Sequence, residues 1–194
     1  MKLDKYHLAF IPLAVALNVS MGSIIQLLKL PIYLDAIGTC LVTLSLGFRA
    51  GALTGVLSFL IAGIVISPVY PYFIGTQVAI AGFLHLVASQ GLLAKTWTQI
   101  LCGIALGVIA GACSAPVKVF LFAGIDGSGT SLVIAYFLKS GQTMLNSVLY
   151  SGLASEPLDK TLQLLMTVIM LKSIPRRLLV NFDNPLLRKN GFLI

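Results

Sequence analysis

Apolar residues run through this sequence in long, continuous blocks, and no other feature narrows the possible folds so far. The stretches 7–28, 51–67, 76–94 and 100–123 hold one lysine between them, Lys118, and no acid. Hydrophobic residues make up 58% of the chain and charged ones 10%, more apolar surface than a soluble domain can use. In lipid the backbone must satisfy its own polar groups, so only helices and closed barrels cross a bilayer. A barrel would alternate apolar and polar residues; continuous runs read as helices.

At about 20 residues per span, 194 residues cross a bilayer about six times and leave no room for a soluble catalytic domain. The expected architecture is all-α: one transmembrane domain over 1–194, a compact six-helix bundle. Its spans are placed near 7–28, 33–48, 51–67, 76–94, 100–123 and 157–174. Leu30-Pro31, Gly47-Phe48-Arg49-Ala50-Gly51, Pro68-Val69-Tyr70-Pro71-Tyr72 and Lys95-Thr96-Trp97 mark the boundaries between them. Segment 132–152 starts apolar, then carries Lys139, Ser140, Gln142, Thr143, Asn146, Ser147, Tyr150 and Ser151. As a seventh span it would put Arg176, Arg177, Arg188 and Lys189 outside, against the positive-inside rule. With six spans and both termini cytoplasmic, nine basic residues lie inside and four outside. Residues 124–156 then form a long external loop with amphipathic helices, and long structured loops tend to be functional. The last span is expected to open at Ser155-Glu156-Pro157, with Asp159 near the positive end of the helix dipole, and to close at Pro175.

The net charge of +7 does not point to nucleic acid, because no stacking or base-reading pattern accompanies it. The cluster Lys172, Arg176, Arg177, Arg188 and Lys189 suits anionic lipid headgroups. Cys40, Cys102 and Cys113 read as small buried hydrophobes without disulfide spacing. The N-terminal run after Lys2 and Lys5 is longer than a signal-peptide core and reads as a retained span in a plasma membrane. No internal repeat of the kind built into inverted-repeat transporters is visible.

Several residues are candidates for function. Gly103, Gly107 and Gly111 recur every fourth residue, with Ala115 next; Ala16 and Ser20 form a weaker small pair. Such faces let helices approach closely, either within the chain or against another membrane protein. Pro116 frees a carbonyl and bends its helix. Lys118, an intramembrane cation, either snorkels to headgroups or lines a pocket. Asp35 is a helix cap, a partner for Lys118 or a ligand contact. His85 sits in mid-span with no second histidine near. Gln142, Asn146 and Tyr150 fall at helical spacing on one stripe, facing either solvent or a solute. There is no nucleophile–base pair, zinc motif or phosphate loop, so nothing indicates an enzyme, a metal or a cofactor.

The segments Tyr33-Leu34-Asp35-Ala36-Ile37-Gly38-Thr39, Gly47-Phe48-Arg49-Ala50-Gly51-Ala52-Leu53-Thr54-Gly55, Ser114-Ala115-Pro116 and Glu156-Pro157-Leu158-Asp159-Lys160 through Pro175-Arg176-Arg177 carry a resemblance over nearly the whole chain. The chain resembles the substrate-binding membrane subunit (S component) of energy-coupling factor transporters. The resemblance implies a subunit that binds a small water-soluble vitamin or related micronutrient from outside. It then docks on a transmembrane coupling subunit driven by two ATPase subunits and topples to release its solute inside. The family's Ala-x-x-x-Ala docking motif is matched only by Ala16-x-x-x-Ser20. Mapped by position, the pocket is expected at Gln77, Lys118, Gln142, Asn146 and Asp159, with Tyr70 and Tyr72 in a lid. Lys118 would suit a carboxylate or phosphate, and the aromatic lid a flat ring. A membrane sensor or assembly protein without a solute pocket is the alternative; a small membrane enzyme should show clustered acids or histidines.

Overall fold

The computed structural model describes residues 5–175, 179–182 and 184–192; among them every regular element is helical. Lys2, Arg176 and Arg177 lie outside the described residues. The helices are α1 (Lys5–Leu27), α2 (Ile37–Leu46), α3 (Phe48–Val65), α4 (Ile74–Ser89), α5 (Thr96–Phe122), α6 (Thr130–Lys139), α7 (Met144–Ser173) and α8 (Pro185–Lys189), with 3-10 turns at Tyr70–Phe73 and Val180–Phe182.

Four segments are long and apolar enough to cross a membrane: Ala9–Leu27, Phe48–Val65, Tyr70–Ser89 and Thr96–Phe122. The expected spans 33–48 and 157–174 do not meet that standard, for two different reasons. α2 has 10 residues and rises only about 15 Å. Residues Leu28–Ala36 ahead of it are not helical, and every residue of α2 from Ile37 to Ser45 is buried. α7 has length to spare, 30 residues, but carries Glu156, Asp159, Lys160 and Lys172.

α7 also overturns the expected boundary at Pro157. The helix starts at Met144, capped by Thr143, whose hydroxyl accepts from the Asn146 N–H at 3.3 Å. Pro157 lies inside it, so Asp159 sits in mid-helix and not in a first turn. The expected loop 124–156 is therefore mostly helix: α6 and the first half of α7.

Two ends of the bundle can be told apart. One gathers the segment between α1 and α2, the Tyr70–Phe73 turn and the α5–α6 connection. The other holds the Gly47 corner, the α4–α5 turn and the C-terminal segment. There Asn184 donates to the Leu44 carbonyl at 3.0 Å, and Asn190 donates to the Ala88 carbonyl at 2.8 Å and accepts from the Leu93 N–H at 2.9 Å. Leu179, Leu187 and Phe192 join the core shared by α2, α4, α5 and α7. Part of the tail expected among headgroups is thus a plug that satisfies the carbonyl end of α2, although Arg188 and Lys189 remain exposed.

Large apolar side chains cover the outside, among them Leu13, Ile64, Leu86, Phe120, Leu153 and Ile169. The interior is unusually polar. Asn18 of α1 donates to Thr39 of α2 and Ser58 of α3, both at 3.0 Å, and accepts from the Gly38 N–H at 2.6 Å. Thr39 passes the network to Gln77 of α4 at 2.8 Å. A bundle with apolar exterior and hydrogen-bonded interior is what lipid as a solvent selects.

Candidate functional site

α5 and α7 build the site because they pack closely. A Cβ on Gly103 would lie 2.6 Å from the Cα of Thr161, and Gly107 and Gly111 face Pro157 and Glu156 in the same seam. The glycine stripe is therefore spent inside the chain, against α7. Gly103 and Gly107 are buried there and are not available as a partner-docking surface, which corrects that reading of them. Ala16 and Ser20 are exposed on the outside of α1.

The seam delivers α7's polar face to the bundle interior. Ser147, Ser151, Ser155, Asp159, Gln163 and Thr167 fall every fourth residue and are all buried, with Glu156 and Lys160 beside them. Leu145, Leu149, Leu153, Leu158, Leu162, Met166 and Ile169 of the same helix point outward, while Val148, Leu164, Val168 and Leu171 pack inside.

Asp159 organises the non-helical segment before α2. One of its oxygens accepts from the N–H groups of Tyr33 and Leu34, both at 3.0 Å. The other accepts from Lys160 and Gln163, both at 2.7 Å. Gln163 in turn accepts from the Ala36 N–H at 2.9 Å. Irregular backbone at membrane depth needs such partners, and here α7 supplies them. The segment then presents Tyr33 and Asp35 to the interior.

Lys160 lies among three carboxylates, with Asp159 at 2.7 Å, Asp35 at 3.5 Å and Glu156 at 3.9 Å. Lys118 of α5 donates to the Tyr33 hydroxyl at 2.5 Å and stands 3.9 Å from Glu156. Both ammonium groups lie near the Tyr33 ring, 5.0 and 5.5 Å from its centroid, within cation–π range. Asp35 does not cap α2, whose N-terminus at Ala36 has no side-chain cap, and it pairs with Lys160, not Lys118. Lys118 is 4% exposed, so it does not snorkel.

These groups form the floor of a cavity of about 550 Å³, open mouth included. Asp35, Phe59, Gln77, Ile80, Ser114, Lys118, Asp126, Glu156 and Lys160 are buried in its lining, and Gln26, Val69, Tyr70, Phe73, Thr76 and Ser128 are half-buried. Tyr33 and Phe59 add aromatic wall. Asp126 joins from the α5–α6 connection, held by Ser128 and Ser131. That connection is latched to the first: Thr130 meets the Tyr33 hydroxyl at 2.7 Å, and Lys29 donates to the Gly127 carbonyl at 2.9 Å. Gly129 packs against the Lys29 and Leu30 carbonyls, where a side chain has no room.

Of the residues expected in the pocket, Gln77, Lys118 and Tyr70 line the cavity. Asp159 lies one layer behind it, fully buried. Gln142 and Tyr150 are exposed and Asn146 half-buried, all away from the lining: Gln142 precedes α7 in its connection to α6, and Asn146 and Tyr150 lie off the inward face that runs through Ser147 and Ser151. Tyr72 is 58% exposed and stacks edge-on against Phe122. Tyr33, Glu156, Lys160, Asp126, Ser114 and Ser128 were missed as site residues. The every-fourth-residue polar pattern from Ser147 to Thr167 was the signal that could have found those on α7.

His85 lies elsewhere, tilted against Phe48 at 6.3 Å, its Nδ1 without a hydrogen bond. Cys40 and Cys102 are buried, but Cys113 is exposed. Among the described residues no group of three or more His, Cys, Asp or Glu is placed to hold a metal ion.

Comparison with known proteins finds no matching family model, curated protein or solved structure.

Proposed function

We propose that this chain is the substrate-specific membrane subunit of an energy-coupling-factor type importer, and that the cavity at the Tyr33 end binds its solute. The solute is a small water-soluble vitamin or related micronutrient, taken up from outside and released inside after the subunit docks on an energising module. In this reading the chain itself catalyses no reaction and uses no cofactor. Its partners are a transmembrane coupling subunit, two ATPase subunits and the lipid around it. It lies in the plasma membrane as a multi-pass protein with both termini cytoplasmic.

The observation that carries the reading is a chamber of buried charge inside a bundle with an apolar exterior. Charged groups are expensive in a membrane interior and ordinarily mark a solute or ion path. The chamber opens at one end of the bundle, and the C-terminal segment plugs the other. Arg49, Lys95, Lys172, Arg188 and Lys189 gather toward the plugged end, which favours placing that end in the cytoplasm. A cavity with aromatic walls and a few convergent polar groups suits a small molecule.

The test is purification from cells grown in rich medium, followed by mass spectrometry of small molecules that accompany the protein and a thermal-shift screen against vitamins. A stoichiometric vitamin-like ligand is the expected result. A protein that is empty and unresponsive to the screen would move the assignment to a membrane sensor or assembly protein.

A further inference from the structure

Lys118 alone suggests an anionic solute, and the full set of charges around it points the other way. The cavity lining carries three carboxylates, Asp35, Asp126 and Glu156, against two ammonium groups, Lys118 and Lys160. Asp159 adds a fourth carboxylate directly behind Lys160. Neither lysine is a free cation. Lys160 is surrounded by three acids, and Lys118 is given to Tyr33 and faces Glu156. The floor therefore has formal negative charge left over, in a place where water screens it poorly.

One acceptor in that floor is unused. Glu156 is 3% exposed and lines the cavity. Its Oε1 is within 3.5 Å of the Ser114 hydroxyl. Its Oε2 has no hydrogen bond, the Lys160 ammonium standing off at 3.9 Å. A buried carboxylate oxygen without a donor is rare and calls for a donor that arrives from elsewhere. The walls beside it, Tyr33, Phe59, Tyr70 and Phe73, offer π faces of the kind that attract cations and flat rings.

We infer that the cavity selects a small, flat nitrogen heterocycle that is cationic or presents amino N–H groups, with Glu156 Oε2 as its acceptor, and that it discriminates against carboxylates and phosphates. An ammonium has three N–H groups, and Lys118 spends one on Tyr33. It can therefore donate to a ring nitrogen or carbonyl next to the ligand's own donor. A heterocycle edge with adjacent donor and acceptor would engage Glu156 and Lys118 together.

This inference rests on the solute-binding reading, and one experiment separates the two. Purified protein in detergent is titrated by calorimetry and thermal shift with thiamine as a heteroaromatic cation carrying an amino group, pyridoxamine as an amino heterocycle, and nicotinate, biotin and pantothenate as anions. Any small molecule that accompanies the protein is identified by mass spectrometry. The expected result is that the tightest ligand is cationic or amino-bearing and that Glu156→Gln weakens it roughly tenfold or more, the loss typical of a charge-assisted hydrogen bond. A tightest ligand that is a carboxylate or phosphate overturns the inference and leaves the solute-binding reading standing. Cation binding unchanged in Glu156→Gln overturns the role of Glu156. No ligand at all overturns both. If Glu156→Gln does not fold, the wild-type ranking of cation over anion still decides.

Discussion

Asp159 accepts four hydrogen bonds with two oxygens, two from backbone N–H groups of the segment before α2 and two from Lys160 and Gln163. No other group of its size can do this, because an amide turns one acceptor into a donor. In Asp159→Asn the new NH₂ must face either the two N–H groups or the Lys160–Gln163 pair. Lys160 also loses its closest counter-charge. Breaking a buried pair from one side costs about 3–5 kcal/mol, so we expect a large drop in melting temperature in detergent, and a further drop when Lys160 is also replaced by Met, which leaves Asp35 without its cation. Asn18 is a quieter example. Its carbonyl oxygen takes the Gly38 N–H, and its amide ties Thr39 to Ser58. Asn18→Leu keeps the branching of the side chain but strands that buried N–H, at a cost of about 1–3 kcal/mol; thermal unfolding would show it as a smaller loss than in Asp159→Asn.

At the scale of the helix, the seam between α5 and α7 and the outer face of α1 use small residues for opposite purposes. Gly107 faces the backbone of Pro157 and Glu156, which cannot swing aside as a flexible side chain would. Gly107→Leu should push α7 off α5, displace Glu156 from Lys118 and remove both stability and ligand binding. Overpacking of this kind costs about 1–3 kcal/mol or more. Ser20→Leu on the exposed face of α1 should leave the stability within about 0.5 kcal/mol of wild type. If α1 docks on a coupling subunit, the same change lowers the amount of that subunit recovered by co-purification while ligand affinity is unchanged. Both stripes are visible in the sequence; which one faces inward is not, because four-residue spacing reports a helix face and not its neighbour. α7 shows a similar limit. Counted one by one, the polar residues of 132–152 weigh against a membrane span and say nothing of which way they face. Their phase told more. Ser147, Ser151, Ser155, Asp159, Gln163 and Thr167 share the inward side, and Leu145, Leu149, Leu153, Leu158 and Leu162 lie on the outer one. This is an amphipathic helix turned inside out, as a helix must be when lipid is outside and polar groups are within.

For the molecule as a whole, apolar runs and their breakers were enough to foresee an all-helical chain with reversals near Gly47, Pro68 and Lys95. They did not reveal α2 as a short buried helix, because its shortness follows from Asp159 and Gln163, more than 120 residues away, holding the backbone N–H groups at Tyr33, Leu34 and Ala36. The cavity was half legible for the same reason: Gln77, Lys118 and Tyr70 stand out as polar residues in apolar stretches, whereas Tyr33 and Glu156 become site residues only when three distant segments meet. What the assembled molecule adds is polarity from end to end. The cavity opens beside the Tyr70–Phe73 turn and the α5–α6 connection, and basic residues gather where the C-terminal segment closes the bundle. An importer's binding subunit needs the open end outside. Ser140, exposed between α6 and α7, marks the cavity end, and Lys95, exposed before α5, marks the other. Single cysteines at these positions, in a chain whose Cys113 is replaced by Ala, can be probed in intact cells with a membrane-impermeant thiol reagent. We expect Ser140→Cys to react at once and Lys95→Cys to react only after the membrane is permeabilised. The reverse pattern would turn the cavity toward the cytoplasm and with it remove uptake from outside as the protein's task.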